Sequence, residues 1–118
     1  MNRDKIVVKS MNVSLVEYKD DEAYYSYCPA LDLIGYGENE EEAKKSFQIV
    51  LEEYIRYTTE NQTLIADLKE HGWEITDNGE KVTPPNLSEL LQSNNELNDI
   101  FNKYDFNKYS IPIKMQLA

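Results

Sequence analysis

Tyr27-Cys28-Pro29-Ala30-Leu31-Asp32-Leu33-Ile34-Gly35-Tyr36-Gly37-Glu38-Asn39-Glu40-Glu41-Glu42-Ala43 is the stretch whose reading decides the fold. Pro29 breaks a tyrosine-rich strand at Cys28, since proline has no backbone N–H to give a ladder. A short third strand is expected over Asp32–Tyr36, and Gly35-Tyr36-Gly37 reads as a tight turn into a helix. Asn39 suits the N-cap, where its side-chain oxygen can accept a free backbone N–H, and Glu42 three residues on completes a capping-box pattern. Glu40, Glu41 and Glu42 in the first turn favour the positive end of the helix dipole. Beyond them Ala43, Phe47, Val50, Leu51, Tyr54 and Thr58 recur at helical spacing, which places one apolar face across a sheet and carries the helix to about Thr59.

Upstream, Lys5–Tyr18 is β-branched and aromatic material with faces of different polarity, and reads as a long strand. Lys19-Asp20-Asp21-Glu22 fits a hairpin turn before a second strand at Ala23–Cys28. Three strands with short links form an antiparallel meander most simply. Downstream, Leu64–Glu70 adds a turn or two of helix before Gly72. Trp73–Thr76 and Glu80–Thr83 flank Asp77-Asn78-Gly79, whose Asn-Gly pair suits a type I′ hairpin turn. After Pro84-Pro85, the residues Leu87, Leu90, Leu91, Leu97, Phe101 and Tyr104 describe a second amphipathic helix, interrupted at Ser93-Asn94-Asn95. Tyr109–Leu117 alternates weakly, and Pro112 limits it to an edge strand or an extended tail. The expected fold class is α+β: a small antiparallel sheet with one packed helix, a further strand or hairpin, and a C-terminal helix. Residues 1–85 form the α+β domain; residues 86–118 form a helix and tail that pack on it or on a second subunit.

The chain has 118 residues, enough for one modest core, and 41% hydrophobic residues with nine tyrosines exclude a disordered chain. Its net charge of −10, from 22 acidic and 12 basic side chains, repels nucleic-acid phosphates and makes direct DNA binding an unfavourable reading. The same field attracts a basic protein. No apolar run is long enough to cross a bilayer. One cysteine and an N-terminus without an apolar signal region lead to the expectation of a cytoplasmic protein.

The segment from Cys28-Pro29 through Gly37 to Ala43 resembles the HicB family of antitoxins, with Pro29, Gly37, Asn39, Glu42 and Ala43 in the family's places. The tight match covers about 20 residues within a broader correspondence over Lys5–Pro85. The resemblance implies a β-β-β-α-β unit with a partial ribonuclease-H-like fold. It implies a non-catalytic module that neutralises a small basic RNA-cleaving toxin of the HicA type, as a homodimer or larger homo-oligomer. Two departures stand out. Family members often carry Pro-Gly in the loop, where this chain has Asp32-Leu33-Ile34-Gly35, and a C-terminal DNA-binding unit is not recognisable after Pro85.

Electrostatic candidates for partner binding are Asp20, Asp21 and Glu22 in the first turn and Glu38, Glu40 and Glu41 at the helix start. Tyr24 and Tyr36 are the aromatic candidates. On the second strand Tyr25 and Tyr27 share one face and Tyr24 takes the other. Leu91, Leu97, Phe101, Ile111 and Ile113 either cap the sheet's open face or form an oligomer contact. His71 reads as the cap of the preceding helix and Cys28 as a small core residue, so no catalytic residue, metal or cofactor is assigned. A second reading is a stand-alone homo-oligomeric module with no toxin, assembled through the edge strand and the C-terminal helix.

Overall fold

β-Branched and aromatic side chains favour a pleated, half-buried surface. They form strands at Val7–Lys19 (β1), Tyr24–Cys28 (β2) and Leu33–Gly37 (β3). The computed structural model describes residues 7–76 and 81–117. Helices follow at Glu40–Glu60 (α1) and Leu64–Glu70 (α2). A hairpin of Glu74–Thr76 (β4) and Lys81–Thr83 (β5) comes next. Helices Leu87–Ser93 (α3) and Asn95–Lys103 (α4) and a long strand Phe106–Leu117 (β6) complete the chain. The class is α+β, and the main sheet is antiparallel with order β3-β2-β1-β6.

Alternation along the strands sends Ser26 and Cys28 of β2 and Gly35 and Gly37 of β3 to one face, and that face carries α1. α1 buries Ala43, Phe47, Leu51 and Thr58, the face its periodicity predicts. The glycines are strand residues, and the expected tight turn at Gly35–Gly37 is corrected. A Cβ on Gly35 would lie 2.2 Å from the Phe47 backbone nitrogen, and one on Gly37 would lie 2.8 Å from that of Ala43. Glycine is required because helix and strand backbones approach too closely for any side chain between them.

The helix start follows the sequence closely. The Glu42 backbone N–H donates to Asn39 Oδ1 at 2.8 Å. Glu42's carboxylate returns to the Glu38 N–H at 3.1 Å, one residue before the cap, so the reciprocal arm is displaced by one position. α2 ends in a Schellman motif: Gly72 N–H donates to Lys69 O, Trp73 N–H donates to Leu68 O, and Gly72 holds φ +90°. Leu68 and Trp73, the hydrophobic pair that accompanies such an ending, are both buried.

Two expectations change in the C-terminal half. The strand after the helix does not join the main sheet, because β4 pairs only with β5. β6 takes the place beside β1 and pairs antiparallel with it from Val7↔Leu117 to Tyr18↔Phe106, so Pro112 sits in an edge strand. The expected type I′ turn at Asp77-Asn78-Gly79, and Lys5 and Ile6 of the first strand, lie outside the described residues. The helix expected after Pro85 is two helices sharing Asn94 as C-cap of one and N-cap of the next. α3 opens with a complete capping box between Asn86 and Glu89, a signal legible in the sequence but not read there.

α4 covers the sheet face opposite α1. Its Leu97 and Ile100 are buried, Tyr104 stacks on Tyr18 with centroids 5.3 Å apart, and Phe101 stacks on Phe106 at 4.1 Å. Leu97 is 0% exposed and Ile113 is 4% exposed. Their assignment to an oligomer contact is corrected, because both are enclosed in the chain's own core; Leu91, Phe101 and Ile111 are half-buried against it.

Replacing Gly35 by Ala is expected to cost about 3 kcal/mol, because backbone atoms rather than a flexible side chain must move. Gly72→Ala is expected to cost about 1 kcal/mol, since its new Cβ meets only Pro85 at 3.6 Å and the cost is that of the left-handed backbone. Urea denaturation of both variants checks the ranking, which is wrong if Gly35→Ala is the milder change.

Candidate functional site

β3 is one of the two outer strands of the sheet, and its period of two divides its side chains sharply. Gly35 and Gly37 turn to α1, while Ile34 and Tyr36 turn to the other face, beyond the reach of α4's packing. Tyr36 is 66% exposed and Ile34 is 37% exposed. Exposed carboxylates flank the pair along the chain, Asp32 before it and Glu38 after it. The Tyr36 N–H donates to Ser46 Oγ of α1 at 3.2 Å, which holds the strand where it leads into the helix.

Across the sheet Tyr36 stands opposite Tyr25, Tyr25 opposite Tyr18, and Tyr18 opposite Phe106, so one aromatic row crosses all four strands. Tyr18 and Tyr25 stack with centroids 4.9 Å apart. Cross-strand aromatic pairs of this kind rigidify a sheet. The row is half-buried against the end of α4 at Tyr18 and Phe106 and open at Tyr36.

The loop before β3 is held from three directions. Asp32 takes φ +54°, the conformation a glycine would supply, and its carboxylate accepts from Tyr27 Oη at 2.9 Å. Asn94 Nδ2 donates to the same Tyr27 oxygen at 2.9 Å. Trp73 Nε1 donates to the Ala30 carbonyl at 2.7 Å in a buried bond.

The sequence-derived candidates separate onto both sides of the sheet. Tyr24 lies on the α1 side and borders a shallow surface depression with Asn39, Glu40, Glu41 and Lys44, so these tyrosine and glutamate candidates do come together. Tyr24 and Glu40 also border a cleft of about 250 Å³ with Lys19, Tyr25 and Phe106. Tyr36 faces the opposite way and meets Glu38 only through the chain. Asp20 lies at the surface, its carboxylate accepting from the backbone N–H groups of Glu22 and Ala23 and from Tyr25 Oη. Those bonds hold its pKa below the usual carboxylate value. Asp21 and Glu22 are exposed at the same turn. Glu41 pairs with Lys45 at 3.3 Å across one helical turn, whereas Glu38 and Glu40 have no ion-pair partner among the described residues. Ile34 was missed at the sequence level; extending the period of two backwards from Tyr36 would have found it.

His71 caps α2, its Nδ1–H donating to the Asp67 carbonyl at 2.8 Å. Cys28 is buried, and burial pushes its thiol up to about 12, so it is protonated at neutral pH. Among the described residues no three His, Cys, Asp or Glu side chains gather as a metal-binding group, and no helix is long and apolar enough to cross a membrane. No protein-family model, curated protein or solved structure matches this chain.

Burial, and then the charge of Glu96, pushes the Tyr18 hydroxyl up to about 12. Unfolded, it titrates near about 10. Above that pH the folded chain holds a proton that the unfolded chain has lost, so stability falls as pH rises towards 12. Melting curves from pH 9 to beyond that window are expected to fall more steeply for the wild type than for Tyr18→Phe, which keeps the ring stack and lacks the proton. Separately, Cys28 is expected to resist a thiol reagent in the native chain and to react once the chain is unfolded.

Proposed function

We propose that this chain is a HicB-like antitoxin: a non-catalytic module that binds a small basic RNA-cleaving toxin of the HicA type and covers the surface that toxin uses for RNA. The observation that carries the reading is the exposed Ile34–Tyr36 pair on an outer strand, flanked along the chain by the exposed carboxylates of Asp32 and Glu38. Aromatic side chains supply most of the anchor energy of protein interfaces, and a rim of carboxylates speeds encounter with a cationic partner. The resemblance carried by Pro29, Gly37, Asn39, Glu42 and Ala43 supports the same reading. Its site is the reducing cytoplasm, which suits a chain with a single, buried cysteine.

The mechanism is occlusion. A toxin that grips RNA needs a basic face, and that face is attracted to the carboxylates of Glu38 and Glu40, which have no ion-pair partner among the described residues. Tyr36 then provides apolar area, because its ring stands off the sheet rather than in the core. Glu41, already paired with Lys45, contributes less to the contact than its neighbours. Neutralisation requires no chemistry from this chain; it requires only that toxin and RNA compete for one surface.

Co-expression with the small basic protein encoded beside it is expected to relieve growth arrest and to yield a complex on purification. Tyr36→Ala is expected to weaken the complex at least tenfold in a titration while leaving the melting temperature unchanged, as befits an exposed anchor. Replacing Glu38 and Glu40 together with Lys is expected to slow association most at low salt. A neighbouring product that is neither small nor basic, and does not bind, overturns the reading.

A further inference from the structure

Strand register brings three carboxylates from distant parts of the chain to one end of the sheet. β1 ends where β2 and β6 begin, with Lys19 opposite Tyr24 and Glu17 opposite both Ser26 and Asn107. Alternation puts Glu17, Lys19, Tyr24 and Asn107 on the face that carries α1. Glu40, the first residue of α1, and Asp105, the residue before β6, join them around the cleft of about 250 Å³. Tyr18, Tyr25 and Phe106 also border it, although alternation turns their rings to the opposite face.

Glu17 is the unusual member. Its side chain is only 14% exposed, and its ion pair with Lys44 is 3.5 Å long, beyond the roughly 2.8 Å of a charge-assisted hydrogen bond. A mostly covered carboxylate held so loosely keeps accepting capacity, and buried polar groups are normally satisfied. Glu40 and Asp105 are exposed and have no ion-pair partner among the described residues. Lys19 stands on the cleft wall, its Nζ 5.5 Å from the centroid of the Tyr24 ring. Three carboxylates against one ammonium leave the lining negative, and the ring already attracts a cation.

This combination favours a guanidinium. That group is planar, weakly hydrated and carries five N–H donors, so it can lie on a tyrosine ring and fork to carboxylates on two sides. An ammonium gains less, because it holds its water and Lys19 already supplies one. The volume is below the roughly 300 Å³ at which pockets for whole small-molecule ligands begin, and it suits one side chain. Tyr36 is aligned with Tyr25 and Tyr18, which places it at the same end of the sheet. A partner laid across that end can touch both places.

We propose that this cleft receives an arginine side chain of a basic partner protein, its guanidinium held between Tyr24 and the carboxylates of Glu17, Glu40 and Asp105. The cleft stands on its own geometry. That its arginine belongs to an RNA-cleaving toxin rests on the antitoxin reading.

Nuclear magnetic resonance of the labelled full chain tests the cleft without any partner. Acetyl-arginine methylamide is expected to shift the amides of Lys19, Tyr24, Glu40 and Asn107, whereas the citrulline compound, of like shape and no charge, leaves them in place. Glu17→Gln combined with Glu40→Gln is expected to weaken the arginine probe at least tenfold. Glu52→Gln combined with Glu74→Gln makes the same change in net charge at exposed residues outside the cleft and is expected to change nothing. Lys19→Met clears the ring of its resident ammonium and is expected to tighten binding. Equal shifts from citrulline, an undiminished response in a folded cleft variant, or an equal loss in the distant variant overturns the proposal. If the cleft variant fails to fold, the citrulline comparison and Lys19→Met decide. A basic partner that binds the wild type and the cleft variant equally well overturns the proposal and leaves the antitoxin reading standing. A probe that binds in the cleft, with a neighbouring product that does not bind, supports the cleft and removes that reading.

Discussion

Backbone contact between α1 and β3 is the constraint on which the remaining arrangement depends. With Gly35 and Gly37 on one face of β3, the helix settles directly on the strand, and Phe47 enters the core where larger strand residues would hold it away. Ser26 and Cys28 on the neighbouring strand continue the small-residue floor. From that seat Lys44 reaches Glu17 at 3.5 Å and lies 5.0 Å from the centroid of the Tyr109 ring, so the helix also touches β1 and β6 chemistry. The same alternation that turns the glycines inward turns Ile34 and Tyr36 outward. A packing requirement on one face thus creates the exposed aromatic on the other.

The second half of the chain closes what the first leaves open. A four-stranded sheet with one helix has an uncovered face, and α4 covers it where Val16, Tyr18 and Tyr27 would otherwise meet water. Asn94 is central to this closure. Its Oδ1 caps α4 through the Leu97 N–H while its Nδ2 donates to Tyr27 Oη, so the break between the two helices is anchored to the sheet. β6 then returns alongside β1 for the length of the strand. Residues after Pro85 are therefore structural partners of the first strand, which is why the apolar residues read as contact candidates divide into core and half-buried sets.

Charge and exposed apolar surface are distributed unevenly. Glu38 and Glu40, without an ion-pair partner among the described residues, stand where β3 leads into α1, while within Val8–Val16 and Lys108–Leu117 the only charged residues are Lys9, Lys108 and Lys114.

Much of the local structure was legible in the residues themselves. The Asn39 cap, the apolar face of α1, the tyrosine parity of β2 and the helix end at His71-Gly72 all rest on interactions within a few residues, and local chemistry determines such features. The same logic exposed Tyr36, though it took Gly35 and Gly37 for a turn, because the need for a bare backbone arises from a helix that lies against them in space. The partner strand of β1, the separation of the β4–β5 hairpin from the sheet, and the burial of Leu97 and Ile113 depend on contacts between segments far apart in the chain. Periodicity states which face of a strand is apolar; it does not state which distant segment will cover that face. That choice belongs to the tertiary structure, because it follows from the space left after α1 has settled on its two glycines.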